Sequence, residues 1–258
     1  MKALVAVLAL LPLSAWAESP FDGTWVKKAD TIKEDDKPYV MVLDKGVFQS
    51  ESIVPPIKVK ADGTDQAVSG HAYYDTMAVR IISPDSIEVI EKKAGKVTYV
   101  FTTTLSADGK TSTVKWSDQT GTEPATGESF FTRVKAGPKG SHAVSGSWRI
   151  VKQQDLSANG RTVTYKVTAD GVKMSSPTGQ SYDAKFNGEF YPVAGDPGQT
   201  MVMLKRVDDH TIIETDKRLG EVAEVDTLKV SSDGKQMHVA WDNKLDGHTG
   251  SYEMTKTP

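Results

Sequence analysis

Hydrophobic and polar residues alternate along most of this chain, and the alternation predicts β-strands almost throughout. Residues 97–105 give the clearest example, because Val97, Tyr99, Phe101 and Leu105 fall on one face and Thr98, Thr102 and Thr104 on the other. A period of two that is rich in β-branched residues is typical of a half-buried strand. Asp108-Gly109 follows and provides the positive φ angles that a tight hairpin turn requires. The same reasoning predicts further strands in the first half near residues 22–28, 39–44, 56–60, 76–82, 86–91 and 127–134.

The pattern of strands and turns occurs twice in the chain. Turn residues and tryptophans of the first half recur in the second half at a nearly constant spacing. A repeat of this length indicates two copies of one domain, each of a size that can bury its own core. The matching segments are Gly23-Thr24-Trp25 with Gly146-Ser147-Trp148, Asp108-Gly109-Lys110 with Asp233-Gly234-Lys235, and Trp116 with Trp241.

We place the first copy at residues 20–135 and the second at residues 144–258. Residues 136–143, which contain glycine and proline without hydrophobic periodicity, are predicted to link the two copies. About eight short antiparallel strands per copy suit either an up-and-down barrel or a sandwich. Consecutive hairpins, and the Gly-x-Trp element that opens each copy, favour the barrel, which also leaves no exposed strand edges. We therefore predict an all-β fold of two tandem antiparallel up-and-down β-barrels.

The tryptophans that follow the N-terminal segment are Trp25, Trp116, Trp148 and Trp241, and all of them occupy repeated positions. An indole is the largest apolar group available to close the end of a barrel, so core packing is the favoured interpretation. The alternative is that an indole offers a flat surface on which a ligand stacks.

These tryptophan positions resemble those of the lipocalin-like (calycin) barrels. In that family a Gly-x-Trp lies on the first strand, and a basic residue of the last strand lies over the indole. The resemblance implies that Arg133 covers Trp25 and that Lys256 covers Trp148, an arrangement that places a cation on an aromatic face. Lysine stands in the second copy where arginine is usual, which weakens planar stacking. The residues expected to close the barrels are Trp25, Arg133, Trp148, Lys256, Trp116 and Trp241.

The chain also resembles an uncharacterised family of secreted bacterial proteins. The second copy carries that pattern as a Lys-x-Asn-Gly turn at 185–188, a Tyr-Pro-Val-x-Gly segment at 191–195 and a Ser-x-Asp-Gly-Lys hairpin at 231–235. The first copy departs from the pattern by carrying Ala67 in place of the proline. These motifs are turns and strand ends, so the resemblance implies a fold and brings no established activity.

Residues 1–17 have the pattern of a secretory signal peptide. Lys2 precedes an apolar run over residues 3–13, and Ala15-Trp16-Ala17 fits the small-x-small cleavage site. The apolar run is shorter than the ~20 residues that span a bilayer, so an uncleaved anchor is the weaker alternative. We therefore expect a periplasmic or secreted protein without stable membrane insertion after cleavage.

The amino-acid composition excludes several classes of partner and of chemical site. With 31 basic and 34 acidic residues the formal net charge is −3, and no basic stripe suits the backbone of a nucleic acid. The chain has no cysteine, which excludes disulfides, cysteine nucleophiles and thiolate metal sites. We predict no nucleic-acid partner and no cofactor, and the oligomeric state stays open.

No motif predicts catalysis or metal binding. The chain lacks a Gly-x-Ser-x-Gly nucleophile elbow and a glycine-rich phosphate loop. The nearest approach to a metal site is the set His238, Asp242, Asp246 and His248. This set lacks a paired ligand motif and is better interpreted as a surface histidine beside loop carboxylates. We predict no catalytic residues and no metal, and an enzyme stays the less favoured alternative.

The strongest candidate for a binding site is a segment that the repeat does not copy. His71-Ala72-Tyr73-Tyr74-Asp75 stands where the second copy has Asp196-Pro197-Gly198-Gln199. Two tyrosines, a histidine and an aspartate at a barrel mouth offer a ligand both stacking surfaces and hydrogen bonds. The plainer alternative is a loop whose tyrosine rings cover the edge of the core. The candidate ligand-binding residues are His71, Tyr73, Tyr74 and Asp75.

The favoured function is binding of one small, partly apolar molecule, either in a barrel or at the seam between the barrels. This function requires an apolar cavity of at least ~300 Å³. If the barrels are filled instead, the chain is a structural or interaction module of the cell envelope. An isomerase or hydrolase at a barrel mouth is a third hypothesis, which requires titratable groups that converge inside a cavity.

Overall fold

A computed structural model describes residues 18–258 as an all-β protein of two nearly closed antiparallel up-and-down barrels in tandem. The expected signal peptide, residues 1–17, lies outside the described residues. Two 3₁₀ turns, Ala29–Thr31 and Asn159–Arg161, interrupt the strands. The strands are β1 (Gly23–Lys27), β2 (Lys33–Glu34), β3 (Tyr39–Asp44), β4 (Val47–Ser50), β5 (Ile57–Lys60), β6 (Gln66–Ala67), β7 (Thr76–Ser83), β8 (Ser86–Lys93), β9 (Lys96–Leu105), β10 (Thr111–Asp118), β11 (Ala125–Ala136), β12 (Gly146–Gln154), β13 (Thr162–Val167), β14 (Gly171–Ser175), β15 (Ser181–Lys185), β16 (Tyr191–Pro192), β17 (Met201–Asp208), β18 (Thr211–Arg218), β19 (Glu221–Val230), β20 (Gln236–Asn243) and β21 (Thr249–Lys256).

The first barrel is formed by ten strands that are consecutive in sequence, β3 to β12. The strand that closes it is β12, which opens the second repeat. β12 pairs with β11 on one side and with β3 on the other, where Trp148 lies opposite Tyr39. Residues 136–143 were expected to link two domains, but Ala136 ends β11 and residues 137–143 lie in the loop between β11 and β12, within this barrel.

The second barrel is formed by β13 to β21 together with β1, the first strand of the chain. β1 lies between β13 and β21, so that Trp25 is opposite Val163 on one side and Lys256 on the other. The short strand β2 also pairs with β21. The N-terminal strand therefore pairs directly with the C-terminal strand.

The first strand of each sequence repeat thus lies in the barrel that the other repeat builds. This exchange corrects the pairing that the resemblance implied for the barrel-closing residues. The guanidinium of Arg133 lies 4.1 Å from the ring centroid of Trp148, and the ammonium of Lys256 lies 5.0 Å from that of Trp25. Each basic residue still covers the indole of its own barrel, because the closing strands carry the same Gly-x-Trp sequence and are interchangeable in this role.

Both closing tryptophans are buried and hydrogen-bonded in the same way. The exposed fractions of Trp25 and Trp148 are 0% and 1%. Each indole Nε1–H donates to the carbonyl four residues earlier, of Phe21 at 2.8 Å and of Val144 at 2.9 Å. A large apolar ring with a satisfied N–H closes the end of each barrel, which agrees with the core-packing interpretation.

The other repeated tryptophans lie across from glycines. Trp116 is opposite Gly127, and Trp241 is opposite Gly250. A Cβ on either glycine would approach the facing indole to 2.4 Å. The glycine is therefore required for the ring to lie over the neighbouring strand, which explains why both members of the pair recur in the second repeat.

Candidate functional site

The first barrel contains a cavity of about 800 Å³ that opens toward the second barrel. The buried Trp148 forms part of its wall. The predicted inward face of β9 contributes Tyr99 and Phe101, with Thr103 next along the same face. Aromatic side chains on six strands line the cavity, namely Tyr39, Phe48, Tyr99, Phe101, Trp116, Phe131 and Trp148.

Small polar residues create this space. The strand ladders align the two barrels position by position, and the cavity walls carry hydroxyl side chains where the second barrel carries larger groups. Ser112, for example, lies opposite Leu105, whereas its equivalent Met237 lies opposite Val230. Methionine, leucine or tyrosine at these positions would occupy space that the first barrel leaves open. The equivalent pairs are Ser50 and Met174, Thr103 and Leu228, Ser112 and Met237, and Ser129 and Tyr252.

Three of the four candidate binding residues line this cavity: His71, Tyr73 and Tyr74. His71 stacks on Tyr74 with ring centroids 4.5 Å apart, and both residues are buried. Burial raises the pKa of the Tyr74 hydroxyl, and the nearby negative charge of Glu91 raises it further. Asp75 is not part of the wall, because its carboxylate accepts the backbone N–H of Ala94 at 2.9 Å and holds a turn.

The second barrel forms part of the cavity rim. Arg218, at the end of β18, lies with its guanidinium 5.5 Å from the ring centroid of Tyr73. The Tyr73 hydroxyl lies 3.2 Å from the hydroxyl of Thr200, and Arg218 Nε donates to the same hydroxyl at 3.0 Å. An ion pair of 3.2 Å joins Arg218 to Asp216. Entry to the cavity therefore depends on both barrels. The second-barrel residues at the rim are Arg218, Leu219, Glu221, Asn243, Leu245 and Asp246.

Glu91 places a carboxyl group in the cavity wall. Burial raises its pKa to about 7, and the negative charge of Asp118 adds to the effect. Within residues 18–258 its carboxylate has neither an ion pair nor a hydrogen bond to another side chain. Tyr99 lies directly opposite Glu91 on the neighbouring strand.

A further polar group of the wall has no partner. Thr103 is fully buried, and its Oγ1 has no hydrogen bond to any of the described residues. A buried hydroxyl without a partner costs free energy, and this one is not accessible to a ligand in the cavity.

The interior of the second barrel is chemically different. On β18 and β19, Glu214 lies opposite Asp226, and Asp216 lies opposite Glu224. The first barrel has Val89 opposite Phe101 and Glu91 opposite Tyr99 at the equivalent positions. One scaffold therefore carries an aromatic cavity in one barrel and facing carboxyl pairs in the other.

Burial raises the pKa of these carboxyl groups. It brings Glu214 to about 8 with help from the charge of Asp216, and Asp226 to about 9 with help from Glu224. The hydroxyl of Tyr182 donates to Glu214 at 2.7 Å. Lys27 lies with its ammonium 3.9 Å from the ring centroid of Tyr252, and burial lowers its pKa.

Glu91 and the carboxyl pairs of the second barrel were not among the site residues predicted from the sequence. A signal for the pairs was present in the repeat, since Glu214 and Asp226 replace Val89 and Phe101 on faces that also carry Ile212 and Leu228. Charged residues on an otherwise buried face mark an interior with a special role. Glu91 carried the same signal, because it follows the buried Ile87 and Val89 on one face of β8, but β8 alone does not show that its neighbour would be a cavity.

The histidines that we considered for a metal site have separate partners. His238 Nδ1 lies 2.7 Å from Glu253, and His248 Nδ1 lies 3.1 Å from Asp35 while its ring stacks on Tyr39. Across residues 18–258, no group of three or more histidine or carboxylate side chains has an arrangement that could hold a metal ion. In the same part of the chain, no helix is both long and apolar enough to cross a membrane.

Comparisons with known proteins give no match for this chain. No protein-family model matches it, no curated protein matches it in sequence, and no solved structure matches its fold. The function must therefore be inferred from the geometry of the chain itself.

Proposed function

We propose that this protein binds one small, partly apolar molecule inside the first barrel. The observation that carries the proposal is the cavity of about 800 Å³ with aromatic walls and a few polar groups. Sites for small molecules typically enclose ~300–1,000 Å³ and combine an apolar lining with a small number of placed polar groups. Glu91 and His71 provide those groups.

The lipocalin-like character of the barrels belongs to the same proposal. The support for it is the repeated Gly-x-Trp strand with a basic side chain over each indole, as in the pairs Arg133 with Trp148 and Lys256 with Trp25. A barrel that is closed at one end by this arrangement and open at the other is suited to hold one ligand. The second barrel contributes the rim through Arg218 and Leu219.

Export to the periplasm or the medium is a further part of the proposal, supported by the signal-peptide pattern of residues 1–17. Fractionation of host cells, with N-terminal sequencing of the recovered protein, tests it. We expect a mature N-terminus at Glu18, whereas a cytoplasmic protein that keeps Met1 would contradict export.

Native mass spectrometry of protein purified from its own host tests ligand binding directly. We expect a mass above that of the mature chain, which returns to the bare mass after organic extraction of a small molecule. A bare mass from the start, together with no stabilisation by a panel of lipids and metabolites, would refute a ligand-carrier role.

Filling the cavity provides a matched genetic test. Ser112→Met introduces the residue that the second barrel carries at the equivalent position, and it should lower ligand affinity at least about tenfold, or ~1.4 kcal/mol. Thr113→Met adds similar bulk on the same strand, at a residue outside the cavity wall. Affinities from isothermal titration should differ between the variants, and equal affinities would place the ligand elsewhere.

A further inference from the structure

We propose that the ligand of the first barrel is a hydrophobic amine, whose cationic nitrogen binds the carboxylate of Glu91 while its apolar part lies in the aromatic cavity. This inference rests on the proposed function and adds the charge of the ligand to it. Three independent observations support a cation.

The first observation is the charge inventory of the cavity. The acidic residues in its wall are Glu91, Glu221 and Asp246, and the one arginine is Arg218. That arginine is already neutralised by its ion pair with Asp216. Among the described residues, the lining of the cavity and its rim thus keeps an excess of negative charge, with Glu91 in the first barrel and Glu221 and Asp246 at the rim. This charge repels a carboxylate or phosphate ligand and attracts a cation.

The second observation is a comparison between the repeats. Asp216 occupies the position in β18 that Glu91 occupies in β8, and it is neutralised by Arg218 from its own strand. The residue of β8 equivalent to Arg218 is Lys93, which forms no ion pair with Glu91 in the described structure. The second barrel thus provides a cation for Asp216 from its own strand. In the described first barrel, the carboxylate of Glu91 has no such partner and is free to bind a cationic group of a ligand.

The third observation is the aromatic surroundings of Glu91. Tyr99 lies directly opposite it, and Trp116 stacks on Tyr99 with ring centroids 6.3 Å apart at 16°. Tyr74 is close enough for the charge of Glu91 to raise the pKa of its hydroxyl. A carboxylate beside aromatic faces is the combination that binds organic ammonium groups, because the faces of the rings are also negative.

Binding to matched probes tests this inference. The probes are tryptamine and octylamine, their neutral counterparts tryptophol and octanol, and their acidic counterparts indole-3-propionate and nonanoate. We expect the wild-type protein to bind each amine at least about tenfold more tightly than its alcohol, and the alcohol more tightly than the acid. Isothermal titration at pH 8 keeps the amines cationic and Glu91 largely ionised.

Two variants test whether the carboxylate of Glu91 produces the preference for amines. Glu91→Gln keeps the size and polarity of the side chain, so it should retain binding of the alcohols and lose the preference for amines. Glu88→Gln, on the same strand, removes a carboxylate that pairs with Arg80 outside the cavity, and it should keep the preference. Far-ultraviolet circular dichroism and melting temperatures verify that both variants fold.

The outcomes separate this inference from the function on which it rests. If no amine, alcohol or acid binds, the proposal of a ligand-binding cavity fails. If probes bind without preference for amines, or if Glu91→Gln keeps the preference, the cavity binds ligands and the assignment of an amine is wrong. A neutral or acidic molecule extracted from protein of the native host would also overturn the assignment.

Discussion

Single residues give the two barrels different interiors on one backbone. The change from Val89 and Phe101 to Glu214 and Asp226 places two carboxyl groups on the inner faces of β18 and β19. The four carboxyl groups of this interior have two cations beside them, Lys27 and Arg218. The positive charge of each favours ionisation of Glu224. Ionising every carboxyl group would leave excess buried negative charge, so some of these groups must stay protonated.

This interior predicts that the protein becomes less stable as the pH rises. Burial raises the pKa of Glu214 to about 8 and that of Asp226 to about 9, so between pH 4 and pH 9 the folded protein binds more protons than the unfolded chain. The stabilisation is complete below the ordinary carboxyl pKa of ~4 and is lost as the pH rises through the raised values. Urea unfolding should give a lower free energy of unfolding at pH 9 than at pH 5.

The double variant Glu214→Gln, Asp226→Asn should flatten that dependence. Neutral amides cannot ionise, so the difference in unfolding free energy between pH 5 and pH 9 should shrink. Asp183→Asn serves as the control, because Asp183 is exposed and pairs with Lys173 on the outer side. A slope that the double variant leaves unchanged would mean that other groups control the pH response.

Among the elements, β1 is the first strand of the first repeat but lies in the barrel of the second repeat. It has five residues and completes the second barrel between β13 and β21. Its tryptophan is fully buried in the core of that barrel with Val172, Leu204 and Met254. Its contribution to stability should therefore be seen in the second barrel, although it precedes the first barrel in the chain.

Trp25→Ala tests this arrangement. We expect it to destabilise the second barrel by ~3–5 kcal/mol, since a large side chain is removed from a packed core. Hydrogen exchange measured by mass spectrometry should show faster exchange in β13 to β21 and little change in β3 to β12. Trp148→Ala should give the reverse pattern. Faster hydrogen exchange in the first barrel after Trp25→Ala would contradict the placement of β1 in the second barrel.

The strands were predictable from sequence, while the exchange of β1 and β12 was not. Alternation identifies inner faces, as for Tyr99 and Phe101, because it depends only on the local period of two. The choice between Trp25 and Trp148 as the closing residue of a barrel depends on long-range pairing. Both strands carry Gly-x-Trp, so the local sequence of either one satisfies either barrel.

The candidate site was predictable only in part, because local sequence identifies single segments and not the long-range pairing between strands. The segment 71–75 stood out because the repeat does not copy it, and three of its residues do line the cavity. The space itself arises from Ser112, Ser129 and Thr103, which lie on three different strands. Only the register of those strands shows that these small side chains lie close together on the inner face, where Thr103 and Ser129 both flank Val114, so no single segment predicts the cavity.

For the whole molecule, the seam between the barrels is part of the binding site. Tyr73 of the first barrel reaches Thr200 and Arg218 of the second. Nearby, the backbone N–H of Thr122 donates to the carbonyl of Thr178 at 2.7 Å across the same seam. Contacts that join the barrels thus also hold a wall residue of the cavity, so the two barrels should respond together when the seam is disturbed.

Gly198 offers a specific test of this coupling. A Cβ on Gly198 would approach the ring of Tyr73 to 2.5 Å, so Gly198→Ala should cost ~1–3 kcal/mol of unfolding free energy through overpacking. Tyr73→Ala removes the ring, and in that background the same glycine substitution should cost little. Urea unfolding of the two single variants and the double variant measures the interaction, which should be clearly non-additive. Additive free energies would mean that Tyr73 does not pack against Gly198, and that the barrels are not coupled through this contact.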